Sequence, residues 1–337
     1  MGDILHALPA VTALRLAHPA WEIDWVVEPR WQALLAAPGG TGRGSARPVV
    51  DRLYFTPTRE WRESPLSAKT INEIRALRRQ LRAVPYNAVL DLQGAIRSAV
   101  VARMAGCRRV IGEAAPREAA ARWLFTERIV TQGAHVIEQD IELASAVAGD
   151  TIGAAAPMLP VDPAAEAWCD ALLTSSGTRP VALINPGAGW GAKRWPVERY
   201  AAVARGLSER GLRVLVNAGP GEEPMADVIV KGTSSASIPL ATRLEQLIAL
   251  TRRIALCVAG DTGPLHLACA LRRPVVGIYG PTDPSRNGPF GTRFKVLRSP
   301  LSRRDHTRYA EPEAGLLTIE PEDVLRAADE LLAEEEA

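Results

Sequence analysis

Short apolar runs alternate with amphipathic stretches along this chain, in two successive blocks. In the first block, strand-like runs lie at Trp21–Val27, Val49–Phe55, Ala88–Leu92 and Arg109–Gly112. Helical periodicity there covers Ile4–Leu16, Ala68–Ala83, Ala95–Ala105, Arg117–Phe125 and Val136–Val147. In the second block, strands are predicted at Val181–Asn185, Arg213–Asn217, Ile254–Val258, Val275–Tyr279 and Phe294–Leu297. Its helices are predicted at Ala164–Leu173, Val197–Glu209, Glu223–Val230, Arg243–Leu250, Pro264–Leu271 and Pro321–Leu332. Such alternation predicts an α/β fold with parallel sheets and helices on both faces. Gly149–Pro163 is Gly-, Ala- and Pro-rich with little periodicity and reads as the linker between the blocks. Pro38–Pro48 and Ser299–Gly315 carry no clear pattern and read as loops.

Composition narrows the class. The 337 residues suit about two domains. With 47% hydrophobic and 23% charged residues, each can bury a core. A net charge of +2 implies no nucleic-acid-binding tail, so an anionic partner needs a local basic patch. Cys107, Cys169, Cys257 and Cys269 are scattered and read as reduced, mostly buried side chains. No run of about 18 apolar residues is present to span a bilayer. Asp3, His6 and Pro9 interrupt the N-terminal apolar stretch, which does not read as a signal peptide. The expected location is therefore cytoplasmic, at most peripheral to a membrane.

In open α/β sheets ligands bind beyond the carboxyl ends of the strands, so the strand-to-helix loops carry the chemistry. In Val258-Ala259-Gly260-Asp261-Thr262-Gly263-Pro264-Leu265-His266, a strand meets a helix opened by Pro264. Backbone N–H groups and the positive helix end there suit an anion, with Thr262 a donor and His266 within about one turn. Asp261 would repel a phosphate and suits sugar hydroxyls or backbone. The plainer alternative is an Asp/Thr cap on an ordinary helix. Asn185-Pro186-Gly187-Ala188-Gly189-Trp190-Gly191-Ala192-Lys193-Arg194-Trp195-Pro196 lets backbone approach a ligand closely, and Lys193 offers a compact positive charge. Lysine is rare in this chain: Lys69, Lys193, Lys231 and Lys295 are all there are among 40 basic residues. Glu222, after Asn217-Ala218-Gly219-Pro220-Gly221, suits either ribose hydroxyls or a helix first turn. Tyr279-Gly280-Pro281-Thr282-Asp283-Pro284 follows a central strand and is expected at the rim of the site.

In the first block, Met1-Gly2-Asp3-Ile4-Leu5-His6 opens a helix, with Asp3 either a cap or a functional carboxylate. Asp91-Leu92-Gln93-Gly94 ends a strand and leads to Arg97 and Ser98. Arg59 and Arg62 flank Trp61, an arrangement found on solvated surfaces and in sites for phosphorylated or carboxylated acceptors. A G-x-x-x-x-G-K-[ST] loop, a G-x-G-x-x-G turn, a D-x-D triplet, G-x-S-x-G and a Cys/His cluster with metal spacing are all absent. Missing G-x-G-x-x-G counts against a nicotinamide-dependent epimerase or dehydrogenase. A nucleotide-sugar-binding protein without turnover is the non-enzymatic rival; donor binding without transfer would identify it.

Taken together, MGDILHALPAVTALR, EIDWVVE, DLQGAIRS, HVIEQ, AKRWP, DTGPLHLACAL and VVGIYGPTDP resemble the bacterial ADP-heptose:lipopolysaccharide heptosyltransferases, in order and over nearly the whole chain. The resemblance implies a GT-B fold, two Rossmann-like domains with parallel sheets facing a central cleft. It implies an acceptor domain over residues 1–155, an ADP-heptose domain over 156–320, and a C-terminal helix over 321–337 packing back across the domains. It implies a metal-independent, inverting transfer from ADP-heptose, a co-substrate rather than a cofactor, to a 3-deoxy-D-manno-octulosonic acid (Kdo) residue of Kdo2-lipid A. The implied enzyme is a monomer at the cytoplasmic face of the inner membrane and has no nucleic-acid partner. By the family's motifs the general base falls on Asp3 and the phosphate-contacting lysine on Lys193. The donor site falls on Ala188, Gly189, Lys193, Glu222, Asp261, Thr262, Gly263 and His266. The acceptor side falls on His6, Arg59, Arg62, Gln93, Arg97 and Arg117.

Three departures stand out. The family usually carries a short hydrophobic strand and serine before M-G-D, so the first strand is expected to be missing from the chain as given. Glu60 and Glu63 stand where close relatives carry basic residues. Gly187-Ala188-Gly189 replaces hydroxyl residues, which keeps transfer to the first heptose open as an alternative to Kdo.

Overall fold

The computed structural model describes residues 1–174, 179–233, 237–305, 307 and 309–336, with side chains to 333. Positions 306 and 308 of the pattern-poor segment, and residue 337 of the C-terminal helix, lie outside them. The chain divides into two compact units, one of His6–Pro160 and one of Met1–Leu5 with Val161–Ala337.

In chain order the elements begin with α1 (Gly2–Ala17), β1 (Asp24–Val27), β2 (Arg52–Phe55), α2 (Thr58–Glu63), α3 (Ala68–Arg82), β3 (Val89–Leu90) and α4 (Ile96–Met104). They continue with β4 (Val110–Glu113), β5 (Glu127–Ile129) and α5 (Val136–Ala148). All strand pairs here are parallel, in two groups, β1-β2 and β3-β4-β5. β1 and β2 are shorter than their apolar runs predict. The residues before them are held instead by Arg15, which donates to the Val49 carbonyl at 2.8 Å and pairs with Asp51 at 2.5 Å. The helix expected over Arg117–Phe125 is a 3₁₀ turn, Ala119–Leu124. Glu118 N–H is tied to the Gly94 carbonyl at 2.9 Å and Thr126 N–H to Val110 at 2.8 Å. These anchors at both ends confine the helical segment to a short turn.

The second unit continues with α6 (Pro163–Thr174), β6 (Val181–Asn185), α7 (Val197–Glu209), β7 (Arg213–Asn217), α8 (Glu223–Gly232) and β8 (Ser237–Leu240). It is completed by α9 (Leu244–Thr251), β9 (Leu256–Gly260), α10 (Gly263–Ala270), β10 (Val275–Tyr279), α11 (Pro284–Asn287), β11 (Phe294–Arg298) and α12 (Pro321–Glu336). One parallel six-stranded sheet runs in the order β11-β10-β9-β6-β7-β8. The central strands are buried along their whole length, as expected where helices cover both faces. On one face Ala182, Ile184, Val214, Val216 and Val258 pack with Tyr200, Val203 and Leu207 of α7 and Val324, Ala328 and Leu331 of α12. Each fully buried Leu, Ile or Val there contributes roughly 1.5–3 kcal/mol of transfer free energy. β8 escapes the hydrophobic pattern because it is a short edge strand containing Pro239, a residue tolerated where one side of the ladder is unpaired. Strand order reverses at β6, with β7 to one side and β9 to the other. The crevice at their carboxyl ends is therefore the expected ligand site.

Candidate active site

The loops after β6 and β9 bring Lys193 and Asp261 together at that switch point. The Lys193 ammonium pairs with one Asp261 carboxylate oxygen and lies 4.2 Å from the centroid of the Trp190 ring. His266 Nε2, on α10, is 3.2 Å from the other Asp261 oxygen. The Lys193 and Asp261 side chains are only 10% and 9% exposed, so the pair is weakly screened. Burial alone would raise the Asp261 pKa. The hydrogen bond with His266 and the charge of Lys193 prevail and hold it well below the usual carboxylate range.

Thr262 stands at the N-cap of α10 in extended conformation, with its hydroxyl 3.2 Å from the Gly260 carbonyl. Pro264 opens the helix and leaves the N-terminal N–H groups of Gly263 and Leu265 without intrahelical partners, as the start of any helix does. The chain's first residues lie here as well. The Met1 thioether covers Gly263, where a Cβ would meet Sδ at 2.5 Å, and the Cβ position of Gly2 is 3.7 Å from His266 Cδ2. Asp3 is the next residue, exposed in the first turn of α1.

On the other side of β6, Glu222 precedes α8 and accepts from the Gly219 N–H at 3.0 Å. Its carboxylate fills the space where a Cβ on Gly187 would stand, so the β6 and β7 loops close on one another around it. Ala188 is half-buried and Gly189 exposed in the same loop. The donor residues singled out in the sequence are thus all at the carboxyl ends of β6, β7 and β9.

Other polar groups at this edge were not singled out. Asn217 Nδ2 donates to Asn185 Oδ1 at 3.0 Å, and the Thr242 hydroxyl donates to Asn217 Oδ1 at 2.7 Å. The signal was present, since two neighbouring strands both end in Asn. Tyr279 and Thr282, in the expected rim loop, are buried with hydroxyls that have no partner among the described residues. Burial and then the Asp261 charge push the Tyr279 pKa up.

In the His6–Pro160 unit, buried His6 meets the His135 ring edge-on at 5.9 Å. Gln93 and Gly94 N–H groups both donate to Asp91 at 2.9 Å, and the Gly94 Cβ position lies 2.9 Å from the Arg117 nitrogen. Glu28 accepts from the Thr58 hydroxyl and from Arg30 at 2.7 Å. Burial would raise the Glu28 pKa, but Thr58, Arg30 and Arg97 together lower it, which puts Arg97 in the same neighbourhood. Arg59 and Arg62 are exposed on α2, with Arg59 3.4 Å from Glu63. Glu28 closes the EIDWVVE segment but was not singled out as a site residue, and Arg30 and Thr58 had no motif to mark them.

The sequence model of glycosyltransferase family 9 (heptosyltransferase) matches residues 74–316. The chain belongs to this family. Lipopolysaccharide heptosyltransferase 1 of Escherichia coli (strain K12) is 31% identical over 311 residues, 89% of this chain and 91% of that protein. The solved E. coli heptosyltransferase WaaC with ADP is 28% identical with a TM-score of 0.74, covering 100% of this chain and 97% of that one. The structure of the same enzyme with ADP-2-deoxy-2-fluoro heptose gives 27% identity and a TM-score of 0.73, at the same coverage. The fold is thus GT-B, and this family 9 member is a glycosyltransferase. Among the described residues no group of three or more His, Cys, Asp and Glu is arranged to hold a metal ion. No helix among them is long and apolar enough to cross a membrane.

Proposed function

We propose that this heptosyltransferase moves L-glycero-D-manno-heptose from ADP-heptose, with inversion, to a Kdo residue of the lipopolysaccharide inner core on Kdo2-lipid A. It works as a peripheral protein at the cytoplasmic face of the inner membrane and takes the donor as a co-substrate. The observation that carries this reading is the Lys193–Asp261–His266 constellation at the switch point of a six-stranded parallel sheet, with Glu222 one strand away. The E. coli relatives whose structures contain ADP and an ADP-heptose analogue support it.

In this mechanism the diphosphate meets the Gly263 and Leu265 N–H groups, the Thr262 hydroxyl and the Lys193 ammonium. Asp261 aims the ammonium and, with His266, receives heptose hydroxyls. Glu222 takes the ribose hydroxyls beside Gly187 and Ala188-Gly189. Asp3 removes the proton of the acceptor hydroxyl as its oxygen attacks the anomeric carbon from the face opposite the diphosphate. The C–O bond to the diphosphate breaks with its electron pair, and ADP leaves carrying the charge that Lys193 and the α10 terminus stabilise. A base placed in this way contributes roughly 10²–10⁴-fold. His6, Arg59, Arg62, Gln93, Arg97 and Arg117 hold the anionic acceptor.

The deciding experiment incubates the purified chain with ADP-heptose and Kdo2-lipid A and follows ADP release and the mass of the lipid product. Addition of one heptose to Kdo is the expected outcome. Transfer only to an acceptor that already carries a heptose would select the second transferase activity. ADP-heptose binding with no transfer to either acceptor would select the non-enzymatic reading.

A further inference from the structure

We propose that the exposed ring of Trp123, with Arg122, Arg128 and Val130, is a contact site for an anionic lipid bilayer. This rests on the reading above, in which the acceptor is a lipid. Trp123 is 67% exposed at the end of the Ala119–Leu124 turn, and Val130 is 70% exposed just after β5. β5 is the outer strand of its sheet, and Arg128 and Val130, two residues apart, point to the same side of it. The Arg122 and Arg128 guanidinium carbons stand 4.9 Å and 5.2 Å from the Trp123 ring centroid, one from each flanking segment.

The electrostatics of the patch are one-sided. Some exposed arginines pair with a carboxylate, as Arg30 does with Glu28, Arg52 with Glu22 and Arg210 with Asp329. Arg122 and Arg128 are in no ion pair among the described residues. The acidic side chains close by in sequence have other partners. Glu127 is held by Arg109 at 2.8 Å, and Glu118 accepts from the Ile96 N–H at 2.8 Å. The result is an indole flanked by two guanidinium groups, neither of which is in an ion pair among the described residues.

This chemistry suits the headgroup layer of a bilayer. An indole has an apolar body and one polar N–H and sits at the membrane–water boundary, while each arginine near an anionic surface contributes about 1 kcal/mol. A protein partner is disfavoured by size. One tryptophan and one valine offer far less than the roughly 1,000 Å² that a specific protein interface buries. The consequence is that the chain reaches a lipid-borne acceptor from the surface on which that acceptor is displayed.

The test is flotation of the full chain with phosphatidylcholine vesicles, with and without phosphatidylglycerol. It compares the parent with Trp123→Ala and with the double variant Arg122→Glu, Arg128→Glu. Both changes are at the surface, and thermal unfolding checks that the variants remain folded. The parent should float with anionic vesicles and much less with neutral ones. Each variant should lose roughly fivefold or more in vesicle affinity, the equivalent of one lost surface contact. Transfer to a deacylated, water-soluble acceptor should be unchanged, while transfer to the same acceptor embedded in anionic vesicles should fall. Parent-like flotation of both variants, equal binding to neutral vesicles, or no vesicle binding by the parent would each overturn the proposal. So would self-association in sedimentation that Trp123→Ala abolishes. Failure of the parent to use even the soluble acceptor would count against the proposed function instead, and flotation is read independently of it.

Discussion

Lys193 and Asp261, 68 residues apart in sequence, form a nearly buried ion pair, and His266 occupies the second oxygen of the same carboxylate. Asp261 therefore keeps its negative charge beside a proposed diphosphate, because two partners hold it ionised. It spends that charge on aiming the lysine instead of repelling the donor.

Asp261→Asn is expected to cost about 3 kcal/mol at neutral pH, because it leaves the Lys193 ammonium buried without its counter-charge. The pH dependence has a definite sign. A carboxyl whose folded pKa is depressed contributes its full stability above the unfolded value of about 3.9 and loses it as pH falls through the folded value. The gap between parent and variant should therefore be flat from pH 8 down to about 5 and shrink only under acid. Urea unfolding across that range is the check; a gap that closes between pH 6 and 7 would show that another group is responsible.

Asp3→Ala should leave donor affinity nearly intact and lower kcat by roughly 10²–10⁴-fold, as loss of a base does. The motivation is the first turn of α1, where Met1 covers Gly263 and Gly2 abuts His266. Calorimetry with ADP-heptose and single-turnover transfer separate the two effects. Wild-type turnover in the variant would remove Asp3 from the mechanism.

Much of this arrangement was legible because parallel α/β chains write their binding loops as Gly-rich breaks after apolar runs. Lys193, Glu222, Asp261 and Thr262 all lie in such breaks, and His266 follows one in the first turn of α10. The pairing between Lys193 and Asp261 was not legible, since it depends on β6 and β9 being neighbours and strand order is not printed in the chain. The same holds for Asn185 and Asn217, which meet only because β6 and β7 pair. The 3₁₀ turn at Ala119–Leu124 misled the helical pattern because its length is set by Gly94 and Val110, contacts distant in sequence. Edge strands β5 and β8 are too short, and β8 too interrupted by Pro239, to stand out.

Lys193→Ala should weaken ADP-heptose binding and slow transfer together, since leaving-group charge is present in the ground state and grows in the transition state. Lys193→Arg should recover only part of either. A planar guanidinium is larger than the ammonium now fitted between Asp261 and the Trp190 ring. Donor Kd and single-turnover rates at fixed ionic strength measure both, and two parent-like variants would displace the donor from this loop.

Transfer should persist in EDTA, because Lys193 and the α10 terminus supply the positive charge that a divalent ion would otherwise bring. Rates before and after chelation, and after adding back Mg²⁺ or Mn²⁺, decide it. Loss on chelation with recovery on metal addition would contradict this assignment of charge.

The last expectation concerns Glu313, in a segment where the sequence shows no pattern. Its carboxylate is buried and accepts from the Ser302 hydroxyl at 2.9 Å, the Leu316 N–H at 3.0 Å and the Arg303 N–H at 3.3 Å. Burial would raise its pKa, but the backbone N–H of Gly315, the Ser302 hydroxyl and further N–H groups outweigh it, so Glu313 is ionised at neutral pH. The segment it organises is bonded to the Lys193 loop. Glu313 N–H donates to the Ala192 carbonyl at 3.2 Å, and Ala192 N–H donates to the Tyr309 carbonyl at 3.0 Å. Gly191 lies so close under Ala310 that a Cβ there would strike its carbonyl. Asp305 N–H also reaches the Pro281 carbonyl at 3.1 Å, tying in the β10 loop. Glu313→Gln keeps the size but turns an amide NH₂ toward N–H donors. It should cost roughly 1.5–3 kcal/mol, the range for a hydrogen bond to a charged group. Glu313→Ala should cost more, and both should loosen the Lys193 loop enough to weaken donor binding by about tenfold, or 1.4 kcal/mol. Donor Kd should move while the KM for a soluble acceptor stays near the parent value, a split that general destabilisation would not produce. If Glu313→Ala unfolds, Ser302→Ala, which removes one contact, should show the same split at smaller size. Parent-like donor affinity in both folded variants would mean that the Lys193 loop holds its shape without this brace.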